Sequence, residues 1–109
     1  MSTLKLTVVA QYYDMIDDLI KDEEYRKIKH YWIVRLMENV KLPDGSVFFM
    51  EGLETFKKFD FVEFKNGYRK DSRKMTFQCL GISIGKGKPE WGAIENEKYF
   101  VIKLGNKIS

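Results

Sequence analysis

The chain has 109 residues and a mass of 12.9 kDa, room for one hydrophobic core and not for two. Hydrophobic residues at 44%, aromatics at 15% and only 2 prolines exclude a disordered or low-complexity segment, because that much apolar surface offsets the entropy of ordering the backbone. The net charge of +3 is too mild to announce a polyanion partner, yet residues 1–54 hold 7 basic and 10 acidic side chains and residues 55–109 hold 12 and 6, so a basic patch would come mostly from the second half.

Leu4, Leu6 and Val8 alternate with Lys5 and Thr7, the period of a strand with one buried face. Val9, Tyr12, Tyr13, Ile16, Leu19 and Ile20 then recur at helical spacing with Asp14, Asp17 and Asp18 largely opposite, which predicts an amphipathic helix over residues 10–22. A short extended piece over residues 23–28 places Glu24 and Arg26 on one side and Tyr25 and Lys27 on the other. A second helix starts near Lys29 with Ile33, Leu36, Met37 and Val40 as its buried stripe. Leu42-Pro43-Asp44-Gly45 has the chemistry of a turn, and Ser46–Leu53 after it reads as an extra hairpin arm or a loop. Strands follow at Phe59–Phe64, closed by Asn66-Gly67, at Lys74–Ile84, and at Tyr99–Leu104, with Gly81, Gly85 and Gly87 marking a bend or bulge. This order is α+β, and short strands with glycine bends around one small core favour a partly closed barrel of five or six strands with two flanking helices. Crossover helices are absent after residue 40, which excludes a doubly wound sheet.

The densest basic stretch is Lys65, Arg69, Lys70, Arg73, Lys74, Lys86 and Lys88 against the single acid Asp71. Cations that neutralise phosphates beside rings that stack bases are the ingredients of single-strand binding, and Tyr68 and Trp91, set among glycines and charges, are the rings expected at the surface. The same lysines and arginines also suit a solvated loop. Lys21, Glu24 and Arg26 form a second cluster, in which a carboxylate lies between two cations. Such a group can hold a polar ligand edge or act as an acid–base pair, and it can equally be a structural ion-pair network. His30 is the only histidine and Cys79 the only cysteine, which excludes an intramolecular disulfide and falls short of a zinc site. His30 reads as a surface or capping residue and Cys79 as a small buried one. GISIGKGKP lacks phosphate-loop spacing, and no nucleophile elbow is present. No metal and no cofactor is expected, and without a signal-like or 18-residue apolar run the expected compartment is the cytoplasm, with no membrane contact.

The segments EEYRKIKHYWIVRL, FDFVEFKNGYRKDSRKMTFQCLGISIGKGKPEWGA and YFVIKLG together resemble the small ASCH-domain proteins (activating signal cointegrator homology) of bacteria and their phages, which are related to PUA-type RNA-binding barrels. The likeness spans the chain as one domain, residues 1–109, apart from an apparent insertion at about 42–56. It implies a small β-barrel whose cleft faces RNA, a nucleotide or a modified nucleoside, and a cytoplasmic setting, that of the host if the chain is phage-encoded. The family's Lys-x-x-[Thr/Glu]-x-Arg segment corresponds to Lys21, Glu24 and Arg26. Family members that hydrolyse N4-acetylcytidine use a lysine, a threonine nucleophile and a distant glutamate; Lys21 has its counterpart, but Glu24 stands where the threonine would be and Asp22 offers no hydroxyl. The leading expectation is therefore a nucleic-acid-binding module for RNA or single strands. Lys65, Arg69, Lys70, Arg73, Lys74, Lys86 and Lys88 would contact phosphates, Tyr68 and Trp91 would stack bases, and Glu24 with Arg26 would read a base edge. A small hydrolase of RNA or a modified nucleoside, with Lys21 and Glu24 as its acid–base pair, is the second expectation. The third is an interaction protein that binds a host factor, or a second copy of itself, through Ser46–Leu53.

Overall fold

Strand β1 (Thr3–Val8) carries the predicted alternation, with Leu4, Leu6 and Val8 buried, in a computed structural model that describes residues 2–38, 40–48 and 55–109. Helix α1 (Ala10–Asp17) is shorter than its apolar period predicts. Asp14, Asp17 and Asp18 crowd its carbonyl end without a basic residue in the last turn, where the helix dipole disfavours negative charge. The chain leaves through Leu19 at φ 62°, with the amides of Ile20 and Lys21 both donating to the Met15 carbonyl at 2.9 and 3.1 Å. Leu19 and Ile20, expected on the buried stripe, are consequently exposed, and Lys21 is swung into the interior.

Strand β2 (Glu23–Lys27) and helix α2 (His30–Leu36) follow. Ile33, Leu36, Met37 and Val40 are all buried as expected, although the helix stops at Leu36 and Met37 is already extended. Residues 40–48 form a tight hairpin around Gly45, which sits at φ +87°, closed by Leu42 N to Ser46 O and Phe48 N to Val40 O, both 2.8 Å. Val47 packs on the core and Phe48 is exposed, while the remainder of the expected arm, residues 49–53, lies outside the described residues. The Thr55 carbonyl accepts from the Glu38 amide at 2.8 Å, and Phe56 meets Phe100 edge-on at 6.2 Å.

Strand β3 (Phe61–Asn66) begins two residues later than predicted, β4 (Lys74–Lys86) runs for 13 residues, and β5 (Lys98–Lys107) continues through Gly105 rather than ending before it. A single 3-10 turn, Pro89–Trp91, lies between β4 and β5. The strand order is β1-β3-β4-β5-β2, parallel only between β1 and β3. Register shifts at Phe77/Cys79 and Cys79/Gly81, with Gly81 at φ +142°, bend β4 and curl the sheet into a half-barrel. Tyr13, Phe64, Phe77 and Phe100 fill its concave side with Leu4, Ile16, Leu36, Val62 and Ile102, each contributing about 1.5–3 kcal/mol through burial. Phe59 and Phe61 are half-buried, and so is Tyr12, which lines a cleft instead of the core.

Candidate functional site

The two outer strands, β1 and β2, are the sheet's edges, and a side chain rather than a backbone ladder spans the gap between them. Arg26 Nη2 on β2 donates to the Thr7 carbonyl on β1 at 3.0 Å. Beside this bridge opens a cleft of about 360 Å³. Glu24, Arg26 and Lys27 of β2, Thr7 and Val8 of β1, Tyr12, Trp32, Tyr99 and the Trp91-Gly92 turn form its walls.

The alternation of β2 puts Glu24 and Arg26 on one face, as its sequence predicts, and Lys21 reaches the same carboxylate from below. Glu24 Oε1 accepts from Lys21 Nζ at 2.7 Å and from the Tyr25 amide at 3.2 Å, and Oε2 accepts from Arg26 Nη2 at 2.6 Å. Lys21 is 1% exposed and Glu24 6%, so two cations share one carboxylate out of water and the cluster carries a net positive charge. Lys21 Nζ also donates to the Glu23 carbonyl at 2.6 Å and lies 5.4 and 5.3 Å from the ring centres of Tyr12 and Tyr25. It stands beneath the cleft and does not line it; Glu24 and Arg26 do.

Tyr25 fastens the far wall. Its hydroxyl donates to Glu23 Oε1 at 2.8 Å and accepts from the Lys88 amide at 3.0 Å, and burial, with the Glu23 hydrogen bond adding, holds its pKa well above the usual phenol value. Gly87 is required at this crossing, since a Cβ there would lie 2.7 Å from Ala93 Cβ and 2.8 Å from the Tyr25 ring. Tyr99 accepts from the Ile94 amide at 2.9 Å and donates to Glu97, which raises its pKa as well. These contacts hold the turn in which Trp91 is only 8% exposed, a correction to the surface position its charged surroundings suggest. Pro89 and the left-handed Gly92 fold the indole inward, so that it lines the cleft with Lys88 Nζ 4.1 Å over its ring.

A second cleft of about 420 Å³ continues from the first, sharing Thr7, Arg26, Lys29 and Trp32. Lys5, Tyr31 and Arg35 form its other walls, and Tyr68, 89% exposed as expected, closes its far end. Tyr68 also borders a shallow depression with Arg69 and Arg73.

The seven basic residues of the long cationic stretch do not make one patch. Lys65 and Lys74 face each other at the base of the β3–β4 hairpin, and Arg69, Lys70 and Arg73 lie in its loop, whereas Lys86 and Lys88 stand at the other end of β4. Arg73 is drawn to within 3.9 Å of Asp17, and Lys86 to 3.4 Å from Asn96 Oδ1. Sequence reasoning missed Lys5, Lys29, Trp32 and Arg35. Its one available signal was the i, i+3 and i, i+4 spacing of Trp32 and Tyr31 to Arg35 on the face of α2 opposite Ile33. His30 is exposed, with Nε2 3.3 Å from the Gly45 carbonyl, and Cys79 is half-buried, burial pushing its thiol pKa up.

Among the described residues no helix is long and apolar enough to cross a membrane, and no group of His, Cys, Asp and Glu is placed to hold a metal ion. Comparison with protein-family models, with curated proteins and with solved structures returns no match.

Proposed function

We propose that the chain is an ASCH-like, PUA-related half-barrel that binds single-stranded nucleic acid, RNA in the first instance, along the seam between β1 and β2. The observation that carries this reading is the continuity of the two clefts, with Trp91 at one end, Tyr68 at the other and the Arg26 guanidinium between them. An unstacked base fits an aromatic-walled cleft of this size, with Glu24 and Arg26 offering an acceptor and donors to its edge. Lys88 at the Trp91 end and Arg69, Lys70 and Arg73 around Tyr68 supply cations beyond the clefts, with Lys65, Lys74 and Lys86 flanking them. Binding is preferred over hydrolysis because Lys21, the expected acid–base partner, has its ammonium committed to Glu24, the Glu23 carbonyl and two rings beneath the cleft.

The test is fluorescence anisotropy with an unstructured RNA oligonucleotide over a salt series. Affinity should fall steeply with salt, and Tyr68→Ala should weaken binding by about fivefold to a hundredfold, the range for loss of one stacked base. Tyr68 is exposed, so its removal leaves stability within about 0.5 kcal/mol of wild type. Absence of binding at low salt, or affinity unchanged by Tyr68→Ala and by a folded Trp91→Ala, overturns the proposal.

A further inference from the structure

The second cleft is charged in a way the first is not. Trp32 carries two guanidinium groups, Arg26 at 4.9 Å and Arg35 at 5.4 Å from its ring centre, so the two cationic carbons lie within about 10 Å of each other. Lys5 and Lys29 stand on the same walls, and among the described residues no carboxylate lines this cleft. Glu24, the acid paired with Arg26, already divides its two oxygens between Lys21 and Arg26, and Glu63, beside Lys5 in the β1–β3 register, is not among the cleft's walls. Arg26 spends Nη2 on Glu24 and Thr7, and its buried Nε has no hydrogen-bond partner among the described residues. Arg35 is pre-oriented, with Nη1 donating to the Tyr31 hydroxyl at 2.7 Å and the guanidinium lying over both Tyr31 and Trp32. Like charges gathered on one indole repel unless an anion joins them, and a planar guanidinium held by stacking offers its N–H edge to a phosphate with little further loss of entropy.

We infer that this cleft, between β1, α2 and the β3–β4 loop, is a phosphodiester subsite held chiefly by Arg35 and Lys5, with Arg26 and Lys29 on the side shared with the base cleft. The inference rests on the single-strand reading above and specifies it. The walls common to both clefts put a base beside Trp91 and its neighbouring phosphate beside Trp32, and Tyr68 at the far end is placed to stack the next base. The ligand class is thus a strand of at least two linked nucleotides rather than a lone nucleoside.

The experiment compares two oligouridylates of equal length, one with a natural phosphodiester backbone and one with an uncharged methylphosphonate backbone, on wild type, Lys5→Gln, Arg35→Gln and the double variant. The double variant should bind the natural strand at least tenfold more weakly at low salt. Its log–log salt slope should be shallower by about 1.4, the loss of two phosphate contacts on a single strand, while its affinity for the uncharged strand stays at the wild-type value. Lys5 is exposed, so Lys5→Gln alone, expected to lower the slope by about 0.7, keeps the test decisive should Arg35→Gln fold poorly. Wild-type binding with a slope that these substitutions leave unchanged, or equal losses on both strands, overturns the subsite and leaves the single-strand reading standing. Failure of wild type to bind either strand overturns both. Displacement of the natural strand by inorganic phosphate at matched phosphate concentration overturns the assignment to a strand in favour of a free anion.

Discussion

Replacing Glu24 by glutamine removes the one negative charge from a cluster of three, and the geometry sets the scale of the effect. The side chains of Lys21, Glu24 and Arg26 are 0%, 8% and 17% exposed, so solvent screens their interactions little. Glutamine keeps the shape and one acceptor but turns the other oxygen into a donor facing a cation, leaving two positive groups uncompensated. Breaking a buried pair by removing one partner costs about 3–5 kcal/mol, a fifth or more of the roughly 5–15 kcal/mol that stabilises a domain of this size. At about 4 °C per kcal/mol the melting temperature should fall by about 12–20 °C. Lys21→Met should be much milder, below about 2 kcal/mol, because Glu24 retains Arg26 and the Tyr25 amide while a straight apolar chain fills the lysine's space. Urea unfolding of both variants beside wild type measures the difference. A Glu24→Gln cost under about 1 kcal/mol, or a larger cost for Lys21→Met, refutes the reasoning that one shared carboxylate offsets both cations.

Two further outcomes follow from the titrating groups. Tyr25 has its pKa raised from 10.0, first by burial and then by the Glu23 hydrogen bond, so the folded state holds the phenol proton more tightly than the unfolded state. That stabilisation is complete below about pH 10 and is lost as pH rises above it; urea midpoints at about pH 9 and about pH 11 should show a steeper alkaline decline for wild type than for Tyr25→Phe, and equal declines would count against the assignment. Partial burial likewise raises the thiol pKa of Cys79, so an aromatic disulfide reagent near pH 8 should react with the native protein more slowly than with the chain in urea, and equal rates would contradict a thiol shielded by the fold.

The parts of this fold legible in sequence were those fixed by neighbours. The alternation of β1 and β2 sets Glu24 and Arg26 on one face whatever the rest of the chain does, and the meeting with Lys21 needed only a tight exit from α1. The exit itself was hidden, because the apolar period runs on through Leu19 and Ile20 while the acids near the helix end work against it. Trp91 misled for a similar reason, since lysine, glutamate and glycine around it describe a surface turn, yet the Tyr25 hydroxyl and Gly92 tuck that turn against β2. The basic stretch from Lys65 to Lys88 reads as one patch only while adjacency in sequence stands for adjacency in space. Thirteen residues of β4 carry its two ends apart. Trp32 and Arg35 sit on one short helix with only their i, i+3 spacing to announce them, and their meaning comes from Arg26, which reaches the same ring from another element.

Arg26 joins the stability of this molecule to its chemistry. An open sheet leaves the hydrogen-bonding groups of its edge strands unpaired, and here β1 and β2 are linked by a guanidinium on the Thr7 carbonyl instead of by a ladder. A side-chain bridge holds the strands near each other without sealing them, and that spacing is what leaves room for the cleft. The same bridge delivers the charge, for Arg26 shares its carboxylate with the buried Lys21 and so keeps the seam positive. Substitution at Arg26 must therefore disturb the fold and the site together, and affinity measured there cannot be separated from stability. Arg35 differs, because it rests on Trp32 and Tyr31 and its tie to the sheet is one long contact, Nη2 to the Lys5 carbonyl of β1 at 3.5 Å. If the seam binds a strand as proposed, evolution or design can retune its grip at Arg35 and Lys5 while Arg26 stays fixed by the architecture.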